Sequence, residues 1–317
     1  MSRIRVARRL RPLLHGITVS PDGTRAQAGP RHRLSAAGPA ELEHLLATFV
    51  YDHFHAGNDA DDMTPSPGLE EALRASVPHS RTLTPVAILG EQPGSADLVA
   101  GIDGVRVVIP ASSIRPGTGA AALPCARAAL SPGFLVVDGS RGSCPDTAVL
   151  RVYVHLADPG EAPAVWARTL RVLEEAEVRY RAKVLSRAGM YPRRDALVAY
   201  VPEAAASVAS LVADRLDGVP GLGGGTSVFA SPIADSVAVA CEPVEHPGGA
   251  LSFGRHRATA VAAGLIGHAL SRRAVTKEEA VADALARWRI DPAAPERNLR
   301  CPHGWVPSRR RSCRRCG

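Results

Sequence analysis

The chain has 317 residues, 45% of them hydrophobic and 22% charged, which is enough apolar sequence to form a full hydrophobic core. The formal net charge is +7, but residues 291–317 carry seven arginines against Asp291 and Glu296, so +5 of it belongs to the C-terminal end. No uninterrupted apolar run reaches the roughly 18 residues of a membrane span. The basic start MSRIRVARRLRPLLHG also lacks the apolar core and small-residue cleavage site of a signal peptide, so we expect a cytoplasmic protein.

Lysine is nearly absent from this chain. Of the 38 basic residues 36 are arginine, and the two lysines are Lys183 and Lys277. Together with abundant Ala, Gly and Pro, this bias indicates a GC-rich genome. Lys277 follows Thr276 in a capping-box pattern with Glu279 and is expected on an exposed first helical turn. Six scattered cysteines are too few for a disulfide scaffold.

The first predicted element is an amphipathic helix over 38–58, with a proline near its start and a glycine just past its end. A polar loop follows, and we expect residues 1–80 to form an N-terminal helical segment. His53 and His55 flank the apolar face of this helix. Two positions apart on a helix they point to different sides, so we expect them at the surface or partly buried rather than as ligands.

From about residue 84 the sequence changes to short β-rich runs punctuated by Gly and Pro. Helical stretches interrupt these runs at about 161–181, 203–216 and 256–272. Because strands and helices do not alternate strictly, the pattern predicts an α+β fold, a mixed sheet with flanking helices. We expect an α+β domain over 81–290 and a basic, flexible Cys- and Arg-rich tail over 291–317.

The run VLRVYVHL, residues 149–156, alternates between apolar and polar side chains. One face carries Arg151, Tyr153 and His155, three groups that bind anions or move protons. One interpretation is a half-exposed strand with a polar outer face, and the other is part of a functional site. After this strand a helix leads to the run AKVL, and such a strand–helix–strand unit would allow Lys183 to lie near Tyr153.

Four arginines lie where the chain could bind an anion, ahead of a strand or beside a helix start at Ser252 or Gly254. They are Arg193, Arg194, Arg255 and Arg257. Free backbone N–H groups at a helix start favour anions, and basic side chains nearby would add to a phosphate site. The alternative is that these are surface arginines that pair with carboxylates such as Asp195 and Glu242.

The C-terminal end holds four potential metal ligands, Cys301, His303, Cys313 and Cys316. They could hold a structural zinc, although only one end has the paired spacing of a strong zinc site. The alternative is an arginine-rich terminus with incidental cysteines, and we predict no catalytic metal. The tail's charge could attract an acidic partner, but Trp305 is its single stacking aromatic, so specific nucleic-acid binding is not expected.

Several blocks occur in an order that resembles a known family. They are FVYDHFHAG, LSPGFLVVDG, LRVYVHL, RAKVLSRAGMYPRRDALVAYV and AVACEPVEHPGGALSFGRHRATAVA, between about residues 42 and 270. In this stretch the chain resembles the HopA-type effector family of plant-pathogen type III secretion. It is most similar to the branch found in actinobacterial gene clusters for class V lanthipeptides and thioamitides.

The resemblance implies a lyase that works beside a separate kinase-like protein. The kinase would phosphorylate Ser or Thr of a ribosomally made precursor peptide, and the lyase would eliminate phosphate to leave dehydroalanine or dehydrobutyrine, without a metal or organic cofactor. In the functionally similar phosphothreonine lyases, a Lys-x-His strand precedes a lysine base by about 30 residues. The matching positions here are Arg151, Tyr153 and Lys183.

The roles carried over are Lys183 as general base and Arg151, Arg193 and Arg257 as phosphate ligands, with Arg194 and Arg255 as further ligands. Arginine cannot serve as the base because it stays protonated, whereas a lysine crowded by cations can lose its proton.

The chain departs from the lyase pattern at the acid, where Tyr153 replaces histidine. Tyr153 or His155 would then donate the proton to the leaving oxygen, or this protein is weak or inactive. Two other functions stay open: a non-catalytic scaffold that holds the precursor peptide or supports the kinase, and an effector-like protein acting on a host target.

Overall fold

A computed structural model of the chain describes residues 5–127, 130–144, 148–243, 251–272 and 274–301. Its α-helices are α1 Arg11–Gly16, α2 Pro39–Val50, α3 Pro67–Ala75, α4 Ala162–Glu175, α5 Val208–Leu216, α6 Phe253–Leu270 and α7 Lys277–Arg287. A one-turn π-helix, Tyr51–Ala56, directly continues α2, and short 3₁₀ turns lie at Arg8–Leu10, Ala111–Ser113, Ala188–Met190 and Glu203–Ala205. The strands of the N-terminal half are β1 Ile17–Val19, β2 Arg25–Ala28, β3 His32–Ser35, β4 Arg81–Pro85, β5 Ala87–Glu91, β6 Asp97–Ile102, β7 Val105–Pro110, β8 Ile114–Arg115, β9 Ala120–Pro124 and β10 Ala126–Arg127. Those of the C-terminal half are β11 Phe134–Asp138, β12 Val149–Leu156, β13 Arg181–Leu185, β14 Arg193–Pro202, β15 Ser231–Pro232 and β16 Val237–Cys241.

The α+β class is confirmed, and its centre is a seven-stranded sheet of order β10-β11-β13-β14-β12-β16-β15. Every described strand pair in this sheet is antiparallel, so the mixed parallel and antiparallel pairing that we expected is not found. The reason is the position of β14. The chain leaves β12 through α4 and returns as β13, and β14 then inserts between these two strands and pairs with both.

The central sheet is buried on both faces. One face of β12, with Val152 and Val154, packs in a core with α4 and α5, where Trp166 is fully buried. The opposite face, with Tyr153, packs in a second core against α1, α2, α6 and α7. The half-exposed strand considered from the sequence is therefore wrong. The alternation of side chains along β12 separates two cores rather than a core and the solvent.

The N-terminal segment is part of the second core. Besides α1 and α2 it contains the three-stranded antiparallel sheet β1-β2-β3, which the sequence did not reveal because its strands are short. Leu10, Leu13 and Leu14 are at most 1% exposed and lie in the same core as Tyr153. The division of the chain into segments at residues 80 and 290 stays a prediction.

The first residues of the predicted tail pack against the central sheet. Cys241 N–H donates to Glu296 O at 2.8 Å, and both Glu296 and Asn298 are buried. Residues 302–317, with His303, Cys313 and Cys316, lie outside the described residues. Two further antiparallel sheets, β4-β9-β8 and β5-β6-β7, lie between α3 and β10 in the chain. Among the described helices, none is long and apolar enough to cross a membrane.

Candidate active site

Lys183 and Tyr153 lie in one cross-strand row of the central sheet. Val198 on β14 pairs with Tyr153 on one side and with Lys183 on the other. Residues directly opposite each other in a sheet point to the same face, so both side chains project from the same side. With one strand between them, their Cα atoms are about 9.5 Å apart. The sequence prediction that Lys183 lies near Tyr153 therefore fits the pairing, with β14 as the spacer.

The Lys183 ammonium is partly exposed and carries no carboxylate partner in the part of the chain that the structure describes. Its Nζ lies over the Phe134 ring, 4.3 Å from the ring centre, and no hydrogen bond to a described residue holds it. An aromatic face stabilises a cation only modestly and leaves its N–H groups available. Because Lys183 is partly exposed, its amine can reach a ligand that approaches from solvent.

Tyr153 is 4% exposed, and its hydroxyl makes no hydrogen bond of normal geometry to a described residue, although the Arg151 guanidinium lies close enough to act on it. A buried hydroxyl without a hydrogen-bond partner lowers the free energy of unfolding, and folded proteins contain few of them. Burial raises the pKa of Tyr153 far above its usual range, and the Arg151 guanidinium acts in the opposite direction. Tyr153 is thus protonated at neutral pH, with a cation placed to stabilise its anion.

Arg151 lies two residues before Tyr153 on the same face and is 8% exposed. Its Nε and Nη2 both donate to the Glu242 carboxylate, and its guanidinium carbon lies 5.0 Å from the centre of the Tyr200 ring. This bidentate pair fixes the guanidinium plane beside Tyr153. The sequence offered Glu242 as a partner of Arg193, Arg194, Arg255 or Arg257, but in the structure it pairs with the buried Arg151.

His55 belongs to the site, contrary to the sequence prediction of a surface or partly buried residue. It is 3% exposed, its ring centre lies 5.6 Å from that of Tyr153, and its Nδ1 lies 2.8 Å from Ser227 Oγ. Its Nε2 is 3.7 Å from an Asp195 carboxylate oxygen. Burial lowers the pKa of His55 to about 4, so the ring is neutral at neutral pH.

The π-turn explains why the sequence did not reveal this position. The helical prediction over 38–58 used the α-helical spacing, but residues 51–56 are wound more widely, which turns His55 inward. Gly57 ends the turn in the left-handed region at φ +79°, a conformation that glycine adopts without strain. The signal available in the sequence was the FVYDHFHAG block itself.

Arg193 is held in a buried network with Asp195 and Tyr51. Its Nε and Nη2 donate to the two Asp195 oxygens at 2.8 and 3.0 Å, and Nη2 also donates to Tyr51 Oη at 2.9 Å. Burial acts to raise the pKa of Asp195, but Arg193 and, after it, His55 and Lys183 hold it well below its usual range. The charge of Lys183 therefore acts on this cluster as well. The charge of Arg193 itself is balanced by its ion pair with Asp195.

Arg257 is fully buried and serves the packing of the C-terminal segment. Its Nε donates to Pro295 O at 3.1 Å, its Nη2 donates to Asn298 Oδ1 at 2.9 Å, and it lies 4.4 Å from the Phe253 ring centre. A direct contact with substrate phosphate needs exposed donors, which this placement does not offer. Its charge still contributes to the potential around Tyr153.

Arg255 and Arg194 border the site without a carboxylate partner among the described residues. Helix α6 begins after Ser252, as expected, and the Ser252 hydroxyl accepts from the Arg255 N–H at 3.4 Å. The Arg255 guanidinium donates to Thr48 Oγ1 at 2.8 Å and lies 4.5 Å from the Tyr51 ring centre. Arg194 donates to the carbonyl oxygen of His53 at 3.3 Å. Neither arginine has a carboxylate within 4.0 Å among the described residues, although Arg255 lies near enough to Asp52 to oppose the rise that burial causes in the pKa of that carboxyl.

His155 occupies a different environment from Tyr153. A register shift between Val154 and Leu156 interrupts the ladder at this point. The ring instead packs on the connection formed by residues 218–227, where its Nδ1 lies 2.9 Å from Gly225 O. Burial lowers the pKa of His155, and the Gly225 carbonyl opposes this shift. The structure thus joins Tyr153, not His155, to Lys183.

The arrangement suits an anionic ligand. Lys183, Arg194, Arg255 and Arg257 have no carboxylate within 4.0 Å among the described residues, whereas Arg151 and Arg193 are neutralised by their own partners. Away from this face, the described residues contain one group of three potential metal ligands, Glu203, Cys241 and Cys301. The zinc ligands considered from the sequence share only Cys301 with this group, and the other three lie outside the described residues.

These features define an α+β protein with an antiparallel sheet. Among the described residues, one face of this sheet carries Lys183 without a carboxylate partner and the buried Tyr153 hydroxyl without a hydrogen-bond partner. The chain belongs to the HopA1 effector protein family, whose family model matches residues 125–297. That stretch includes both halves of the cross-strand row and every arginine of the candidate site.

Two solved effector structures are similar to the chain, from Pseudomonas syringae pv. tomato strain DC3000 and from Pseudomonas syringae pv. syringae strain 61. Their TM-scores are both 0.47 at 12% and 15% sequence identity, respectively, and each alignment covers 79% of this chain and 88% of the effector. No curated protein matches the chain.

Proposed function

We propose that this protein is a phosphoserine/phosphothreonine lyase that eliminates phosphate from a ribosomally made precursor peptide. The observation that carries the proposal is the shared row of Lys183 and Tyr153, whose side chains face the same side of the sheet. Among the described residues, Lys183 has no carboxylate partner and the buried Tyr153 hydroxyl has no hydrogen-bond partner. Elimination requires a base and an acid held on one side of the substrate, which this row supplies.

In the proposed reaction, neutral Lys183 removes the Cα proton of the phosphorylated residue. The electron pair forms the Cα–Cβ double bond while the Cβ–O bond breaks, and Tyr153 donates its proton to the departing oxygen. Arg151 lies beside Tyr153 and would stabilise the tyrosinate. Transfer of a proton from the lysine ammonium to the tyrosinate, directly or through water, then restores both groups. Dehydroalanine or dehydrobutyrine remains, and hydrogen phosphate leaves.

We infer unequal roles for the arginines within this proposal. Arg255 and Arg194 border the face without carboxylate partners and are the best placed to contact phosphate. Arg151 and Arg193 are already neutralised by carboxylates, so they position Tyr153 and the His55–Asp195 pair. Fully buried Arg257 contributes through its charge.

The substrate and partners follow from the same proposal. The phosphorylated residue would lie in a precursor peptide, and a separate kinase-like protein would supply it. The support is the resemblance to the branch found with class V lanthipeptide and thioamitide clusters, together with the excess of positive charge at the site. Neither a metal ion nor an organic cofactor is needed for the proton transfers.

The test is mass spectrometry of a phosphothreonine peptide incubated with the full chain, alone and with the kinase-like protein encoded beside it. Loss of phosphoric acid with an unsaturated residue left behind is the expected result. Release of phosphate with the hydroxyl restored would instead indicate hydrolysis. An unchanged phosphopeptide under both conditions would contradict the lyase.

A second candidate, a non-catalytic binding module, is favoured by one specific observation. Arg151 and Arg193 each donate two hydrogen bonds to a carboxylate, Glu242 and Asp195 respectively, as structural arginines do. Membership of an effector family is also compatible with a protein that binds a host target. Calorimetry separates these functions, because a module would bind the phosphopeptide stoichiometrically and release it unchanged.

A further inference from the structure

The fold brings together two cysteines that are 60 positions apart in the sequence. Cys241 ends strand β16 and is 1% exposed, whereas Cys301 is partly exposed at the end of the described C-terminal segment. Their sulfur atoms are 2.7 Å apart. The backbone aligns them, because Cys241 N–H donates to Glu296 O at 2.8 Å and Cys301 N–H donates to Asn298 O at 3.0 Å.

We propose that Cys241 and Cys301 are a redox-active thiol pair that forms a reversible disulfide and so fastens the C-terminal segment to the central sheet. This site is independent of the proposed lyase reaction. In reducing compartments, disulfides are more often reversible redox sensors than permanent structural bonds. The partial exposure of Cys301 allows thiol–disulfide exchange with a small molecule.

The environments of the two sulfurs assign them different roles. The contact with Cys241 lowers the pKa of Cys301, and the Asn298 N–H, 3.4 Å from Cys301 Sγ, and the Arg257 charge act in the same direction. The contact with Cys301 and burial raise the pKa of Cys241. Cys301 is thus the exposed thiolate that reacts first, and Cys241 is the shielded thiol that resolves the intermediate.

The oxidant in this proposal is a low-molecular-weight disulfide. The Cys301 thiolate attacks one of its sulfurs, the S–S bond breaks, and one thiolate leaves. Cys241 then loses its proton and attacks Cys301 Sγ, which expels the second thiolate. Two protein thiols are oxidised to one disulfide, and the small disulfide is reduced to two thiols, so atoms and electrons balance.

A metal centre is the competing explanation for Cys241, Cys301 and nearby Glu203. Two thiolates on one tetrahedral zinc at about 2.3 Å each lie about 3.8 Å apart. The observed sulfur contact is more than 1 Å shorter, so zinc would have to push the pair apart. The geometry therefore favours direct bonding between the sulfurs.

The disulfide would secure contacts that reach the candidate active site. The Asn298 side chain donates to Glu242 O at 2.7 Å and accepts from Arg257, and Glu242 in turn holds Arg151 beside Tyr153. A covalent link at Cys301, three residues from Asn298, limits detachment of this segment. Closing a loop of this length is expected to raise the unfolding temperature by roughly 5 °C or more.

The experiment uses the full chain with Cys313→Ser and Cys316→Ser, so that tail thiols do not compete. The protein is treated with oxidised glutathione, its remaining thiols are alkylated, and it is digested with trypsin without reduction. Trypsin places Cys241 in peptide 216–255 and Cys301 in peptide 301–309. We expect these two peptides to be linked, to separate on reduction, and to stay unlinked in Cys301→Ser or Cys241→Ala. Cys125→Ser, at a buried cysteine away from the pair, should leave the link intact.

Two results would overturn the proposal. One is recovery of both peptides unlinked, alkylated or as stable glutathione adducts, after treatment of the folded protein. The other is a stoichiometric zinc ion in the purified protein that protects both thiols from glutathione and is lost in Cys241→Ala. That result would assign a metal centre to the pair instead.

Discussion

The two lysines of this arginine-rich chain occupy contrasting positions. Lys277, expected on an exposed helical turn, donates from Nζ to the carbonyl oxygens of Leu14 and Ile17 at 2.7 and 2.6 Å. It thereby satisfies carbonyls at the end of α1. Lys183 has no such hydrogen bonds to the described residues, and its partly exposed Nζ lies over the Phe134 ring. Rarity alone does not identify a functional lysine, but the contacts of each residue do.

The Tyr153 hydroxyl allows function and stability to be separated. In Tyr153→Phe the ring packing is kept, and a buried hydroxyl without a described partner is removed. We expect stability to be unchanged or higher by about 1 kcal/mol, whereas elimination should slow about 100-fold or more because the proton donor is lost. Urea unfolding and turnover of a phosphothreonine peptide measure the two effects. A destabilised variant with normal turnover would assign the hydroxyl a structural role.

His55 should make the fold sensitive to acid. Its pKa is about 4 in the folded protein, below the ordinary value of about 6.5, so the unfolded chain binds the proton more readily. Its contribution to stability is complete above about pH 6.5 and is lost as the pH falls toward 4, by about 3 kcal/mol in total. Urea unfolding between pH 7 and pH 4 should show a shallower decline for His55→Gln than for wild type.

The matched control is His15→Gln, since the His15 side chain is 73% exposed. This variant should keep the wild-type pH dependence. Partly buried Glu43 and Asp52, whose pKa values are raised by burial, act with the opposite sign. Because they are present in all three proteins, their effect cancels in the comparison. An unchanged slope in His55→Gln would contradict the burial of a neutral imidazole.

At the scale of elements, the first turn of α6 packs closely against the His55 ring. A Cβ atom on Gly254 would lie 2.1 Å from His55 Cδ2, whereas a Cβ on Gly267 in the same helix would meet nothing within 4 Å. Gly254→Ala should therefore cost about 1–3 kcal/mol and displace His55. Gly267→Ala should be neutral or stabilise by up to about 1 kcal/mol. Thermal unfolding of the pair is the measurement, and equal effects at both positions would contradict the packing.

Most elements were predictable, but their pairing was not. The predicted strand over 149–156 matches β12, and the predicted helix over 161–181 contains α4, because each has a clear periodicity. That β14 would insert between β12 and β13 depends on long-range pairing, which local periodicity does not encode. The burial of both faces of β12 could not be predicted either, because alternation alone does not distinguish a second core from solvent.

The site was partly predictable for related reasons. Arg151 and Tyr153 emerged because their strand alternates regularly, and Lys183 emerged as one of only two lysines. The resemblance to a known family added to all three. His55 was missed because a π-turn changes the helical spacing, and the contact between Cys241 and Cys301 was missed because only the folded chain brings them together. Arg193 and Arg257 were predicted by position, but the partners that occupy their donors appear only in the structure.

At the scale of the whole molecule, the two cores share one sheet and should unfold together. Leu14 in α1 and Leu170 in α4 are at most 1% exposed and lie in the cores on opposite faces. Replacing either by Ala should cost about 2–5 kcal/mol. We expect each variant to shift one cooperative calorimetric transition. A separate early transition in Leu14→Ala would instead support an independent N-terminal segment.

The most direct test of the central claim compares the two lysines in one assay. Lys183→Arg and Lys277→Arg both keep the positive charge, but arginine cannot become a neutral base. Each variant is incubated with a phosphothreonine peptide and, where required, the kinase-like partner, and the unsaturated product is followed by mass spectrometry. We predict that Lys183→Arg loses elimination by at least 100-fold, whereas Lys277→Arg turns over like wild type. Normal elimination by Lys183→Arg would show that Lys183 is not the base.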